Sequence, residues 1–282
     1  MPTKTLNVAL AGTGVGKTLF MCHQAACALA QNKNVLYITM EMAEERIAER
    51  IDANLLGISM EDLHMLNKKL FNEKIVKLQN KTTGTLIIKE YPTASASVNH
   101  YRALVNELAL KRTFKPDIIF VDYINICASS RFKPGANVNS YTYVKAIAEE
   151  MRGLAVELDV PIVTATQTTR SGFVSSDIGL EDTSESFGLP ATADFMFALI
   201  SSEELERAGQ IAVKQLKNRY NDPTVNRKFI IGVDRARMKL FDIEQQAQNL
   251  IQPEQEKYVE HNLEKTEESP EEKYKKFQDF KF

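Results

Sequence analysis

Apolar positions change their spacing several times along the chain. Short runs rich in β-branched and other apolar residues fall at 6–11, 34–40, 85–90, 117–122, 161–167, 195–200, 210–217 and 228–233. Between the earlier runs lie longer stretches, at 16–31, 43–56, 60–78, 98–111 and 141–158, with a helical spacing of apolar residues. Strands and helices in alternation predict an α/β fold, a mostly parallel twisted sheet with helices on both faces. Over 210–241 strand-like runs succeed one another through short links, which predicts an antiparallel edge. No repeat occurs at the spacing of solenoids or propellers.

Two long connections interrupt the second half, at 128–139 and 168–184. Each follows the C-terminal end of a predicted strand, the edge where doubly wound sheets bind ligands, so both are expected to be functional. The pattern fades after the last strand. Residues 252–282 hold nine acidic and six basic side chains, with Phe277, Phe280 and Phe282 at the very end. The expected division is one domain over 1–243 and an acidic, disordered tail over 244–282. A short docking motif around the three phenylalanines is the sharper alternative for the tail.

Composition narrows the classes. The 282 residues are 44% hydrophobic, enough for a large core, and carry a formal net charge of −2. Bulk charge therefore does not draw this chain onto nucleic acid, and any such binding must come from a local patch. No apolar run approaches the roughly 20 residues that span a bilayer, and no signal-peptide core follows Met1. The cysteines, Cys22, Cys27 and Cys127, lie in apolar segments without metal-ligand spacing. They read as reduced core thiols of a cytoplasmic protein.

The strongest chemical signal is Ala11-Gly12-Thr13-Gly14-Val15-Gly16-Lys17-Thr18, placed between a strand and a helix. It departs from the P-loop pattern only by Ala11 at the first glycine position. Gly14 and Gly16 permit a backbone that turns successive N–H groups inward around phosphate, with a helix N-terminus behind them. Residues 12–18 are thus the expected binding loop for ATP or another NTP. Lys17 would reach the β- and γ-phosphates, and Thr18 would offer its hydroxyl to Mg²⁺.

Hydrolysis also needs a metal-holding carboxylate and a group that prepares water. The apolar strand ending in Asp122 has the form of a Walker B segment, so Asp122 is the expected metal carboxylate, while Asp117 reads as a turn residue. Glu41 ends the 34–40 strand, expected to lie adjacent to the first strand and beside the phosphate loop. It is the candidate for orienting water. Its alternative role is a first-turn partner of helix 43–56, a role that Glu44, Glu45 and Glu49 already fit.

These segments in order, namely the P-loop, Thr39-Met40-Glu41-Met42, Phe120-Val121-Asp122-Tyr123, Val163-Thr164-Ala165-Thr166-Gln167 and Lys217-Asn218-Arg219, resemble the RecA-like motor domain of DnaB-type replicative DNA helicases. The likeness covers about residues 4–241 and is strongest to the T-even phage type. It implies a P-loop NTPase of RecA-like fold, with Glu41 as catalytic carboxylate and Asp122 as Walker B aspartate. It also implies that Gln167 senses the γ-phosphate and that Arg219, helped by Lys217, acts as a finger in a neighbouring subunit's site. Taken alone, Gln167 is a polar strand end and Lys217–Arg219 a basic turn.

By the same resemblance the long connections are channel loops that grip single-stranded DNA, with Arg131, Lys133 and Arg170 near its phosphates. The implied partners are single-stranded DNA, further copies in a hexameric ring when full length, primase and a helicase loader. No membrane is implied. The family's N-terminal collar has no counterpart ahead of residue 11, so an isolated motor domain or a naturally short relative is expected. The implied activity is translocation 5′→3′ driven by hydrolysis. A recombinase-like filament ATPase, or a nucleotide-gated loading module without unwinding, are the alternatives.

Overall fold

The computed structural model describes residues 1–132, 137–169, 178–183, 188–222 and 224–243. The strands are β1 Leu6–Ala11, β2 Val35–Thr39, β3 Leu86–Glu90, β4 Ile118–Asp122, β5 Ile162–Gln167, β6 Phe195–Ile200, β7 Gln210–Asn218, β8 Lys228–Asp234 and β9 Lys239–Asp242. They form one sheet in the order β3-β2-β4-β5-β1-β6-β7-β8-β9. All pairings from β3 to β6 are parallel, and those from β6 to β9 are antiparallel. The expected α/β class, parallel core and antiparallel edge are all present.

Helices α1 Lys17–Ala30 and α2 Glu44–Leu56 cover one face, where Met21, Tyr37, Ile47, Ile51 and Phe120 are fully buried. Helices α5 Val98–Arg112 and α6 Ser140–Leu158 cover the other, over Leu10, Ile38, Ile119, Ile147 and Met151. Each such side chain contributes about 1.5–3 kcal/mol by leaving water. Because both faces are covered, β1 and β2 are buried along their whole length, whereas β3 at the edge is partly exposed. Asp117 does serve the turn: its carboxylate accepts from the Asn34 N–H at 2.8 Å.

Two expectations need correction. β2 is not beside β1, because β4 and β5 lie between them. Those two strands are almost entirely buried and take central positions, so order along the chain is not order across the sheet. The single helix expected over 60–78 is two helices, α3 Met60–Met65 and α4 Lys68–Gln79. Asn67 breaks the run by adopting an extended backbone, from which its side chain accepts the Leu70 N–H at 2.9 Å. Two short helices, α7 Gly188–Thr192 and α8 Glu203–Arg207, and two 3₁₀ turns, Ile124–Ile126 and Leu180–Asp182, complete the described elements. No helix among the described residues is long and apolar enough to cross a membrane.

Candidate nucleotide-binding site

The phosphate loop leaves β1 at the C-terminal edge of the parallel strands. Gly14 (φ 79°) and Gly16 (φ 129°) both take conformations that a Cβ would disfavour, as the loop chemistry requires. Ala11 is still strand: it pairs with Gln167 of β5 and Leu199 of β6, and its side chain is buried. Alanine is accommodated there because the turn begins only after it. Lys17, at the head of α1, is buried and donates to the carbonyls of Gly12 (3.2 Å) and Ala11 (3.5 Å). Burial lowers its pKa, while the negative charges of Glu41 and Asp122 act in the other direction.

Asp122 ends β4 beneath this loop and is fully buried. Its Oδ2 accepts from the Tyr37 hydroxyl at 3.0 Å, whereas Oδ1 has no hydrogen-bond partner. Burial pushes the carboxyl up to about 6, against the pull of Tyr37, of the nearby Thr18 hydroxyl and of Lys17. An orphaned buried carboxylate oxygen near a threonine hydroxyl fits one side of a Mg²⁺ shell, which prefers a few protein oxygens with phosphate and water. No cluster of three His, Cys, Asp or Glu side chains among the described residues would cage a metal by protein alone.

Glu41 reaches the same cavity although two strands separate β2 from β1. Parallel pairing brings it there: β2, β4, β5 and β1 all end at the same edge, with Thr39 opposite Asp122, and α1 packs on α2 over that face. The turn that carries Glu41 is fixed on both sides. Met40 N–H donates to the Asp122 carbonyl at 3.0 Å, and the Thr39 hydroxyl bonds both the N–H and carbonyl of Met42. Thr93 holds the Met40 carbonyl at 2.9 Å. Glu41 itself is exposed.

Gln167 also lines this cavity, whose volume is about 330 Å³. Its amide donates to the Tyr123 hydroxyl at 3.3 Å, and the Tyr123 ring lies 5.9 Å from Lys17 Nζ. Tyr123 therefore touches both a phosphate-loop cation and a strand-end amide, a role that residue type alone does not announce. Arg50, Arg235 and Met238 complete the lining. Arg235 donates to the Val15 carbonyl at 3.4 Å. A larger cavity of about 600 Å³, mostly apolar and lined by Phe20, Phe195, Phe197 and Phe229, holds none of these groups. The candidate phosphate-binding and water-orienting residues therefore converge on the smaller one.

Lys217 and Arg219 are not in this site. Asn218 pairs with Phe195, and Phe195 with Asn7, so the end of β7 lies at the opposite edge of the sheet from the phosphate loop. A six-residue strand separates the two edges by roughly 20 Å. Arg219 pairs with Asp194 at 3.2 Å and donates to the Ala191 carbonyl at 2.7 Å, and Lys217 donates to the Pro190 (2.6 Å) and Ala191 (3.0 Å) carbonyls. Arg131, in the first long connection, is ion-paired with Glu149 and lies 3.8 Å from Glu150 on α6. Lys133 and Arg170 lie outside the described residues.

A family model of the DnaB-like helicase C terminal domain matches residues 1–236. The DnaB-like replicative helicase of Enterobacteria phage T4 is 49% identical over 246 residues, covering 86% of this chain and 52% of the relative. A probable plasmid replicative DNA helicase of Chlamydia trachomatis is 30% identical over 158 residues, covering 55% and 33%. The chain thus spans about half or less of the length of these relatives. Among solved structures, one ATPase domain superposes with a TM-score of 0.71 at 18% identity, covering 86% of both chains. A DnaB-like replicative helicase studied for its interactions with primase gives 0.70 at 18%, covering 86% of this chain and 58% of that one. These two likenesses bear on the fold and agree with the RecA-like α/β sheet expected from sequence. With the family model spanning most of the sequence and the phage relative nearly half identical, the chain belongs to the DnaB-like helicase C-terminal domain family.

Proposed function

We propose that this chain is the ATP-hydrolysing motor of a ring-forming replicative DNA helicase, moving 5′→3′ on single-stranded DNA. The observation that carries the reading is one cavity that gathers Lys17, Thr18, Glu41 and Gln167 around the loop, with the orphaned Asp122 oxygen beneath. Residues 12–18 bind the phosphates through backbone N–H groups, and Lys17 leaves the loop carbonyls to take phosphate oxygens. Thr18 and Asp122 hold the Mg²⁺, which when bound neutralises phosphate charge. Glu41 orients the attacking water from its fixed turn. Gln167 reads the outermost phosphate, and Tyr123 ties that reading to Lys17.

Arg219, with Lys217 beside it, completes the site of the next copy in the ring. A guanidinium suits charge spread over phosphate oxygens, and its place at the far sheet edge keeps it out of its own chain's site. Arg131, Lys133 and Arg170 meet DNA phosphates. For Arg131 this means exchanging Glu149 for a phosphate, a contact that would add about 0.7 to the log–log salt slope of binding to a single strand. Residues 1–243 are the motor and 244–282 an acidic tail. The full assembly is a hexamer acting in the cytoplasm, with primase and a loader as partners.

The test is steady-state ATP hydrolysis against protein concentration, with and without single-stranded DNA, followed by strand displacement. A specific rate that rises with both supports shared sites and a DNA-driven motor. A rate indifferent to both refutes the ring-motor reading for this chain. Arg219→Ala should bind MgATP normally and lose the concentration-dependent part of the rate.

A further inference from the structure

Asp194 lies just before β6 and is fully buried, yet it meets two arginines. Arg152 of α6 donates from Nε to both carboxylate oxygens, at 3.1 and 3.0 Å, and Arg219 donates from Nη1 at 3.2 Å. Leu6 N–H adds a third donor at 3.0 Å, and the Asp194 carbonyl accepts the Arg219 N–H at 3.1 Å. One arginine would have sufficed to neutralise the carboxylate. The second is half-exposed, with only part of its five-donor fork used here, so it can be held and still offer an edge to a phosphate.

The other contacts of the two cations end on α7. Lys217 and Arg219 both donate to the Ala191 carbonyl in its last turn, and Lys217 also to that of Pro190, where helix carbonyls favour positive charge. α7 is itself seated on α6: a Cβ at Gly188 would come within 2.7 Å of Lys145 Cβ, so only glycine allows this approach. It also terminates the segment that starts after Gln167 at the nucleotide edge. Its beginning is held by the Thr168–Thr183 bridge and by Thr169 N–H on the Asp182 carbonyl. One stretch of chain therefore runs from the nucleotide cavity to the groups that hold the finger.

We propose that Asp194 is a positioning residue for the Arg219 finger. This rests on the reading that Arg219 acts in a neighbouring copy's site. Asp194 fixes the guanidinium in one orientation before the interface forms, so the neighbour's transition state is met by a prearranged charge.

Subunit mixing with the full chain tests this. Lys17→Ala subunits lack a working nucleotide site but keep the finger, and Arg219→Ala subunits have the reverse. Hydrolysis by the mixture above the sum of its parts reports a finger supplied in trans. Asp194→Asn alone should bind ATP with unchanged affinity and lose about tenfold or more of the concentration-dependent rate. Mixing it with Lys17→Ala should restore that rate, and adding it to Arg219→Ala should cause no further loss. Asp194→Asn/Arg152→Gln, which removes the carboxylate with one of its two cations, should behave alike and serves if the single variant does not fold. Restoration of Arg219→Ala but not of Asp194→Asn or the double variant would overturn the positioning role. Failure to restore Arg219→Ala would overturn the trans finger, and the present inference with it.

Discussion

Asp122→Asn removes a charge that folding carries into the centre of the sheet. In the folded chain the carboxyl is displaced from its ordinary 3.8 to about 6, chiefly by burial. A raised carboxyl favours the protonated folded form. The penalty on the native state is therefore absent below about pH 4, grows as the pH rises toward about 6, and is complete above about pH 7. Its full size is about 3 kcal/mol, from 1.36 kcal/mol per tenfold change in the proton equilibrium. Asparagine keeps an oxygen for the Tyr37 hydroxyl, so the packing at this point survives. In EDTA at pH 8 the variant should be up to about 3 kcal/mol more stable than the parent, or roughly 6–12 °C in melting temperature for a domain of this size. The gap should close on acidification to pH ~4. Magnesium with a non-hydrolysable nucleotide should then stabilise the parent and leave the variant behind. Urea denaturation across this pH range is the assay. A variant no more stable than the parent at pH 8, or a gap independent of pH, would refute the account of Asp122 as a buried charge awaiting a cation.

Glu41→Gln should bind nucleotide normally and turn it over about 10²–10⁴-fold more slowly, and near-normal turnover would remove its water-orienting role. Lys17→Ala should lose tight MgATP binding in a direct titration; retained affinity would contradict its place among the phosphate ligands. Tyr123→Phe deletes the hydroxyl that meets Gln167 while keeping the ring near Lys17. Hydrolysis without DNA should change little and stimulation by single-stranded DNA should fall, whereas intact stimulation would separate Tyr123 from the sensing path. Gly84→Ala would bring a Cβ within 2.6 Å of the Lys33 carbonyl oxygen, so urea denaturation should show a loss of about 1–3 kcal/mol. An unchanged midpoint would mean that the Lys33 turn yields freely.

What the sequence displayed openly was whatever depends on near neighbours. The strand, glycine turn and helix around Lys17 are contiguous, and the apolar run ending in Asp122 needs no partner to be read. The order of strands is a different kind of fact. β2 takes its place against β3 and β4 through long crossovers, and neither spacing nor hydropathy records which strand lies beside which. Arg50, Arg235 and Met238 were missed because α2 and the β8–β9 turn bring them to the loop from distant sequence. The break at Asn67 was hidden because apolar periodicity continues through it, and only the capping geometry of one side chain interrupts the helix. The ion pairing of Arg131 was hidden as well, because its partners Glu149 and Glu150 lie nearly twenty residues on.

The reversal of direction at β7 has a geometric outcome. It puts the nucleotide loop at one edge of the sheet and Lys217 and Arg219 at the other. A two-fold pair could match loop to cations only reciprocally, in one closed contact that leaves no edge for a third copy. Joining one unlike pair at each contact is instead a head-to-tail arrangement, which either closes into a ring or extends as an open spiral. An open spiral always has one fewer joined edge than it has copies, leaving a bare loop at one end and bare cations at the other. A closed ring has no such ends, so closure itself adds a joint that no single copy brought.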